Sequence, residues 1–128
     1  MNEQLKPMPH GILADERARI AAGLGALRVG SDYARAAEIF RALGDPSRVK
    51  LLDALAHQEL CTSDLAEVIG LSEPAVSQHL RLLRLLRVVS SHRHGHRVVH
   101  TLEDDHVRNL LGLTMDHVSD MVEERAAG

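Results

Sequence analysis

The stretch LCTSDLAEVIGLSEPAVSQHLRLLRLLRVVSSHRHGHRVVHTL, residues 60–102, contains two short helical patterns followed by a hairpin pattern. The first helical pattern begins after Thr62, a candidate N-cap, and stops at Gly70, since glycine commonly ends a helix. The second begins after Ser72, another candidate N-cap, and extends to Leu86. These signals predict two helices joined by a tight turn.

The second predicted helix has one apolar and one polar face, and a hairpin follows it. Val76, Leu80 and Leu83 recur at offsets of four and three, so they share a face of the helix. The segments that flank His94-Gly95 are rich in Val and Thr, which predicts two strands with a turn at that dipeptide. Two helices followed by a basic hairpin are typical of a winged helix-turn-helix. We therefore predict a mainly α fold with a small β-hairpin.

The charges of the chain are unevenly distributed. The net charge is -3 over 128 residues, yet no Asp or Glu lies between Pro74 and Leu102, a stretch that holds five arginines and five of the nine histidines. This segregation predicts a positive face on an acidic protein. Aromatic residues make up 2% of the chain and offer little for stacking on single-stranded bases, so duplex DNA is the favoured partner.

On this interpretation the second helix enters the major groove, and the hairpin reaches the DNA backbone or the minor groove. The residues predicted to contact base edges are Ser77, Gln78 and Arg81. Those predicted to contact phosphates are Arg84, Arg93 and Arg97. His79 is also predicted to contact DNA. The alternative is an amphipathic surface helix whose arginines only keep the protein soluble.

Further helical patterns flank this stretch on both sides. An amphipathic helix is predicted over 12–29 and a second helix over 32–43. A third helix begins with Asp45 as N-cap and Pro46 at its first position. The last helix is predicted from about residue 103 to residue 124.

We expect the 128 residues to form one domain, within which four segments can be distinguished. It comprises an N-terminal arm and helix (1–30), the helix-turn-helix (62–86), the wing (87–102) and the C-terminal helix (103–125).

Four histidines lie within HRHGHRVVH, residues 92–100. At a hairpin tip beside DNA, His92, His94 and His96 act as polar groups next to phosphate, and this role requires no metal. The alternative is a low-affinity zinc or nickel contact, for which an exposed tip offers no second shell of hydrogen bonds.

The last predicted helix carries a stronger metal-binding pattern. His106 and His117 are 11 residues apart, which places them on one face and roughly 16 Å apart along the axis, too far for one ion. Two antiparallel copies of the helix would bring Asp104 and His106 of one chain beside His117 and Asp120 of the other. Two imidazoles and two carboxylates suit tetrahedral zinc, with cobalt, nickel or manganese as alternatives. The competing interpretation is a solvated polar face on a dimerisation helix.

The run from residue 42 to residue 102 resembles the winged-helix core of the ArsR/SmtB family of metal-responsive repressors, over about half the chain. The matching motifs are GDPSR (44–48), ELCTSDLA (59–66), SEPAVSQHLRLL (72–83) and the wing glycine Gly95. The resemblance implies a homodimer formed through the N- and C-terminal helices. It also implies a repressor that occupies its operator when metal-free and leaves it on binding metal.

The zinc-sensing branch of this family has an Asp-x-His pair near the start of its last helix and a His-x-x-Glu pair near the end, one pair from each subunit. Asp104, His106 and His117 match these positions. Asp120 stands where the family usually has Glu, one methylene longer. The fourth ligand is therefore Asp120, Glu124 or a water molecule.

Some members of the family also bind metal near the ELCTSDLA motif through thiols, with help from the N-terminal segment. Cys61 and Asp64 match two of those positions, and His10 is a third candidate ligand. For Cys61 the first interpretation is a small buried apolar residue, because a thiol-based sensor usually has several cysteines.

Other classes of protein lack support in the sequence. The chain has no HExxH motif and no Ser or Cys nucleophile with an adjacent base, so we expect no enzyme. It has no secretory pattern, no apolar run long enough to span a bilayer and one cysteine, so we expect a cytoplasmic protein. The function predicted is a homodimeric, metal-sensing repressor, and the alternative is a winged-helix regulator without a metal response.

Overall fold

The computed structural model describes residues 12–127, with side chains described from residue 15 to residue 125. The contacts divide the chain into two compact units, and the break falls between Ala36 and Ala37. The elements are α1 (Ile12–Ala26), α2 (Gly30–Leu43), α3 (Pro46–His57), β1 (Leu60–Cys61), α4 (Thr62–Ile69), α5 (Glu73–Leu85), β2 (Val89–His94), β3 (Arg97–Leu102) and α6 (Asp105–Ala127).

The first unit contains α1 and the start of α2. The backbone N–H of Arg28 donates to the Tyr33 hydroxyl at 2.8 Å and ties the turn to the second helix. Of the apolar residues that predicted an amphipathic helix here, Ile20 and Leu24 of α1 and Leu27, just beyond its end, are all more than half exposed. The unit therefore presents an apolar helix face to solvent.

The core of the second unit lies between α3, α4, α5 and the sheet. Its buried side chains are Leu51, Leu52 and Leu55 of α3, Leu65 and Ile69 of α4, Val76, Leu80 and Leu83 of α5, and Val88, Val89 and Leu102 around the wing. Burial of an aliphatic side chain of this kind contributes about 1.5–3 kcal/mol, so the three helices and the wing hold one another in place.

Several helix boundaries follow the predicted local signals. Asp45 Oδ1 accepts from the Arg48 N–H at 3.1 Å, and Ser72 Oγ accepts from the Ala75 N–H at 3.3 Å, so both act as N-caps. The Arg48 N–H also holds the pKa of Asp45 below its usual value. Gly70 ends α4 with a φ of 77°, a conformation that glycine adopts without strain.

The cap predicted at Thr62 is wrong. Cys61 occupies the N-cap position with an extended backbone and no side-chain cap bond, and Thr62 is the first residue of α4. Cys61 pairs with Val99 in the sheet, so the chain is still in a strand where the helix was expected to be capped. The Thr62 hydroxyl instead lies 2.9 Å from His100 Nε2.

The sheet has three antiparallel strands in the order β1-β3-β2. The wing strands β2 and β3 were predicted, whereas β1 was not. The strands are joined by Gly95 and His96, one residue later than predicted, and Gly95 takes a φ of 63°. A two-residue turn with glycine first suits the twist of a hairpin.

The start of α6 is fixed to the second unit. Asp104 Oδ1 accepts from the Val107 N–H at 3.0 Å and caps the helix. Arg108 donates through Nη1 to the Ala56 carbonyl and through Nη2 to the Leu102 carbonyl, each at 2.6 Å. The guanidinium group thus joins α6 to the end of α3 and the end of β3.

The remainder of α6 is exposed. Leu111 is the last buried residue among the described side chains of α6, and those from residue 112 to residue 125 are all exposed. Several of these are apolar: Leu113, Met115, Val118, Met121 and Val122. None of the helices in the described part of the chain is long and apolar enough to cross a membrane.

Candidate nucleic-acid interface and metal centre

The residues predicted to contact base edges lie on the outer face of α5. Its inner face is buried in the core, and Ser77, Gln78 and Arg81 are exposed on the other side. Hydroxyl, amide and guanidinium groups are those that hydrogen-bond to base edges in a major groove. The helix therefore presents a polar face suited to duplex DNA.

His79 differs from its neighbours on α5 because it faces a second protein group. It is half-buried, and its Nδ1 lies 3.4 Å from Arg48 Nη1. Arg48 also donates through Nε to the Ala42 carbonyl at 2.7 Å and lies 3.9 Å from Asp45. Arg48 was not among the predicted functional residues, although its position three residues after the Asp45 cap indicates that it lies beside that cap. It connects the end of α2 and the start of α3 to α5.

A chain of side-chain hydrogen bonds joins α5 to the wing and to α4. Arg84 Nη1 donates to Ser91 Oγ at 3.4 Å, and Ser91 Oγ lies 2.7 Å from His100 Nδ1. His100 Nε2 completes the chain at Thr62 Oγ1. Arg84, predicted to contact phosphate, is exposed and also contacts the wing.

His100 is the centre of this chain and is 2% exposed. Burial lowers its pKa, and the nearby charges of Arg84 and His92 lower it further. A neutral imidazole has one N–H donor and one acceptor, so it can bond to a hydroxyl on each side. The sequence offered no local signal for this role, because its partners are 9 and 38 residues away.

The wing places the other predicted phosphate contacts near its tip. Arg93 and Arg97 are exposed on β2 and β3, and His94 pairs with Arg97 across the hairpin. The rings of His92 and His94 lie 5.2 Å apart, whereas His96 is in the turn. The structure thus brings together two of the three wing histidines.

The four predicted metal ligands lie at two places along α6, with Asp104 at the cap just before its first residue. Asp104 Oδ1 is 3.6 Å from His106 Nδ1 at the start of the helix, where the His106 side chain is fully exposed. His117 and Asp120 lie one turn apart and are exposed. Because α6 is continuous from Asp105 to Ala127, a single chain does not bring the two pairs together.

The second predicted metal site has less support from the described residues. Cys61 is buried with its Sγ 3.2 Å from Ser63 Oγ, and Asp64 is half-buried. Cys61 and Asp64 belong to no close group of three metal-type ligands in the part of the chain that the structure describes. His10 lies outside the described residues. The buried, inert interpretation of Cys61 is the better supported one.

Comparison with known proteins adds independent information. A family model described as "Bacterial regulatory protein, arsR family" matches residues 45–91, which include α3, α4 and α5. A winged helix-turn-helix DNA-binding domain of Mycobacterium bovis, Mb0332 fragment 1–100, is similar in structure with a TM-score of 0.68 at 24% identity. The match covers 77% of this chain and 94% of that domain, which confirms the winged helix-turn-helix fold.

Curated relatives extend the match in sequence. The transcriptional repressor SmtB homolog of Synechocystis sp. is 50% identical over 84 residues, 66% of this chain and 64% of that protein. The cadmium resistance transcriptional regulatory protein CadC homolog of Staphylococcus aureus is 40% identical over 76 residues, 59% of this chain and 63% of that protein.

Each of these two matches thus spans less than two thirds of the relative's length. Three further relatives, 36% to 42% identical, match over 70% to 76% of their own length. The chain belongs to the arsR family of bacterial regulatory proteins.

Proposed function

We propose that this protein is a metal-responsive transcriptional repressor that binds operator DNA as a homodimer and releases it on binding zinc or a similar divalent metal. The relatives support the two parts of this proposal separately, since one is named a transcriptional repressor and another a cadmium resistance regulatory protein. The observation that carries it is the placement of two His–carboxylate pairs at separate positions on one exposed helix, α6.

The DNA-binding half rests on α5 and the wing. In a dimer, the two copies of α5 would present Ser77, Gln78 and Arg81 to major grooves about one helical turn of DNA apart. Arg84, Arg93 and Arg97 would neutralise phosphates on either side. The stretch from Pro74 to Leu102, which includes most of α5 and the wing, contributes no acidic residue of its own to this surface.

The dimer rests on the exposed stripe of α6. His106, Leu110, Leu113 and His117 follow one another at offsets of four, three and four, so they lie along one side of the helix. Leu113 is 69% exposed, although it is large and apolar. Burial of this stripe against a second copy would remove that apolar surface from water.

In an antiparallel dimer, a single register of the two α6 helices pairs the leucines with each other and the histidines with each other. If His106 lies opposite the partner's His117, the same register places Leu110 opposite the partner's Leu113. It also places Asp104 close to the level of Asp120, whereas Glu124 lies a further turn away. We therefore favour Asp104, His106, His117 and Asp120 as the ligand set.

The donor set favours zinc. Two imidazole nitrogens and two carboxylate oxygens form a four-ligand set of the kind that zinc binds tetrahedrally, and cobalt, nickel and manganese accept the same atoms. An alternative location at Cys61, Asp64 and His10 would offer a thiolate, but Cys61 is buried.

Release of DNA requires that the metal bind the free dimer more tightly than the DNA-bound dimer. Coupling of this kind is typically about 1–3 kcal/mol, or roughly 5- to 150-fold in affinity, and DNA must weaken metal binding by the same factor.

The proposal is tested by titrating zinc into an operator complex at fixed salt concentration while DNA affinity is measured by fluorescence anisotropy. We expect zinc to weaken DNA binding in the wild-type protein and in His57→Ala, a control at an exposed histidine of α3. We expect no such effect in His106→Ala. If zinc, cobalt, nickel and manganese all leave the wild-type affinity unchanged, the protein is a winged-helix regulator without a metal response.

A further inference from the structure

A second group of metal-type ligands lies on the sheet, away from α6. It consists of Glu59, just before β1, and His92 and His94 of β2. One ligand atom from each of the three lies within 4.8 Å of the other two. Glu59 Oε2 is 3.3 Å from His92 Nε2, and the His92 and His94 rings meet edge to face at a centroid distance of 5.2 Å.

The fold itself brings these three residues together. His92 and His94 are two residues apart in a strand, so their side chains project from the same face of the sheet. The neighbouring Ser91 projects from the opposite face, where it contacts the buried His100. Glu59 arrives from the other side of β3, because Leu60 pairs with His100 and so places β1 along that edge.

We propose that Glu59, His92 and His94 form a binding site for a divalent transition metal, with water completing the coordination shell. For ligands about 2.1 Å from a tetrahedral ion, neighbouring ligand atoms are about 3.4 Å apart. The 3.3 Å separation of Glu59 and His92 matches this value. The remaining separations, at most 4.8 Å, close by rotation of exposed side chains.

The donor atoms define the class of metal. Two imidazoles and one carboxylate bind Zn²⁺, Ni²⁺ and Co²⁺ well, whereas Mg²⁺ and Ca²⁺ prefer oxygen ligands.

A simple ion pair between Glu59 and His92 is the competing explanation, and His94 distinguishes the two. An ion pair requires only the contact at 3.3 Å, so removal of His94 would leave it intact. A metal site requires all three ligands. On α3, His57 Nε2 lies 3.9 Å from Asp53 Oδ1, a matched His–carboxylate pair that belongs to no close group of three metal-type ligands among the described residues.

The experiment uses the full chain with His106→Ala and His117→Ala, which removes the histidines of the proposed α6 centre. Isothermal titration calorimetry with NiCl₂ and ZnCl₂ gives the stoichiometry, and the absorption spectrum with CoCl₂ reports the coordination geometry. We expect one ion per chain. His94→Ala, His92→Ala and Glu59→Gln should each weaken its binding by at least about tenfold, since loss of even a second-shell partner typically costs about 10- to 100-fold in affinity.

His57→Ala and His96→Ala are the controls and should leave the affinity unchanged. All the substituted side chains are exposed, and far-UV circular dichroism verifies that each variant is folded. Absence of binding in this background, or binding that His94→Ala leaves unchanged, would overturn the proposal. Because the α6 histidines are absent throughout, this result is independent of whether α6 senses metal.

Discussion

The Thr62 hydroxyl lies 2.9 Å from Nε2 of the buried His100 and joins the first residue of α4 to the central strand of the sheet. On its other side, His100 contacts Ser91, which accepts a hydrogen bond from Arg84 of α5. One buried imidazole thus joins the wing to both α4 and α5.

The stability of the protein should therefore decrease in acid through His100. Its pKa is lowered in the folded state relative to the unfolded value near 6.5, mainly by burial and further by Arg84 and His92. The unfolded chain then binds more protons as the pH falls through that range, so the free energy of unfolding decreases with decreasing pH. Urea denaturation between about pH 7.5 and pH 5.5 measures this slope.

In His100→Gln, which retains a donor and an acceptor, the slope should be smaller. The exposed His57→Gln serves as the control and should keep the wild-type slope. An unchanged slope in His100→Gln would show that His100 does not titrate differently in the two states.

Arg108 should contribute more to stability than its half-buried position suggests. Its guanidinium donates to two backbone carbonyls, those of Ala56 and Leu102, and Arg108→Ala leaves both without this donor. We expect a loss of roughly 1–3 kcal/mol in the free energy of unfolding. Arg125→Ala, at an exposed position near the end of the same helix, should change it by less than about 0.5 kcal/mol. Equal effects in urea denaturation would contradict this account of how α6 is held.

The stripe on α6 predicts a specific dimerisation defect. Leu113→Glu places a charge in the apolar contact proposed between the two helices, and burial of a leucine contributes about 1.5–3 kcal/mol. Sedimentation equilibrium should therefore show a dimer dissociation constant at least about tenfold higher. Leu85→Glu changes an equally exposed leucine of α5 and should leave the constant unaltered. A dimer that tolerates Leu113→Glu would not use this stripe.

Substitutions on α5 and substitutions on the wing should change DNA binding in different ways. Arg81→Ala should cost about 1–3 kcal/mol in operator binding and reduce discrimination between operator and unrelated DNA. Arg97→Ala should weaken binding to both DNAs by a similar factor and lower the salt dependence by about one charge. Fluorescence anisotropy at several salt concentrations distinguishes the two effects. The same loss of discrimination in both variants would place Arg97 at a base.

Local signals predicted the helices of the second unit well because each depends on neighbouring residues. Asp45, Ser72 and Gly70 act within four residues of their own position, and the sequence shows such relationships directly. Burial of Val76 on α5 followed from periodicity in the same way.

The strand β1 was not predicted because two residues form no pattern of their own. Its pairing of Leu60 with His100 joins positions 40 residues apart. Failure to predict β1 also concealed the contact between Glu59 and His92, so only the wing histidines themselves were considered as ligands there. On α6, the spacing of the residues identified two ligand pairs. The two pairs can meet only between two chains of a dimer, and the sequence of one chain does not show how the dimer is arranged.

The central claim is that each metal ion is bound by two chains, and mixed dimers test it most directly. Chains carrying His106→Ala are mixed with chains carrying His117→Ala, both with His94→Ala to remove the wing site, and zinc binding is measured by calorimetry. Neither variant alone should bind zinc tightly at α6, because each homodimer has lost a ligand from both sites.

A mixed dimer retains one complete site, formed by His106 of one chain and His117 of the other. We therefore predict one tightly bound zinc ion per mixed dimer. If mixing restores no binding, the two histidines do not share an ion across the dimer, and the account is contradicted.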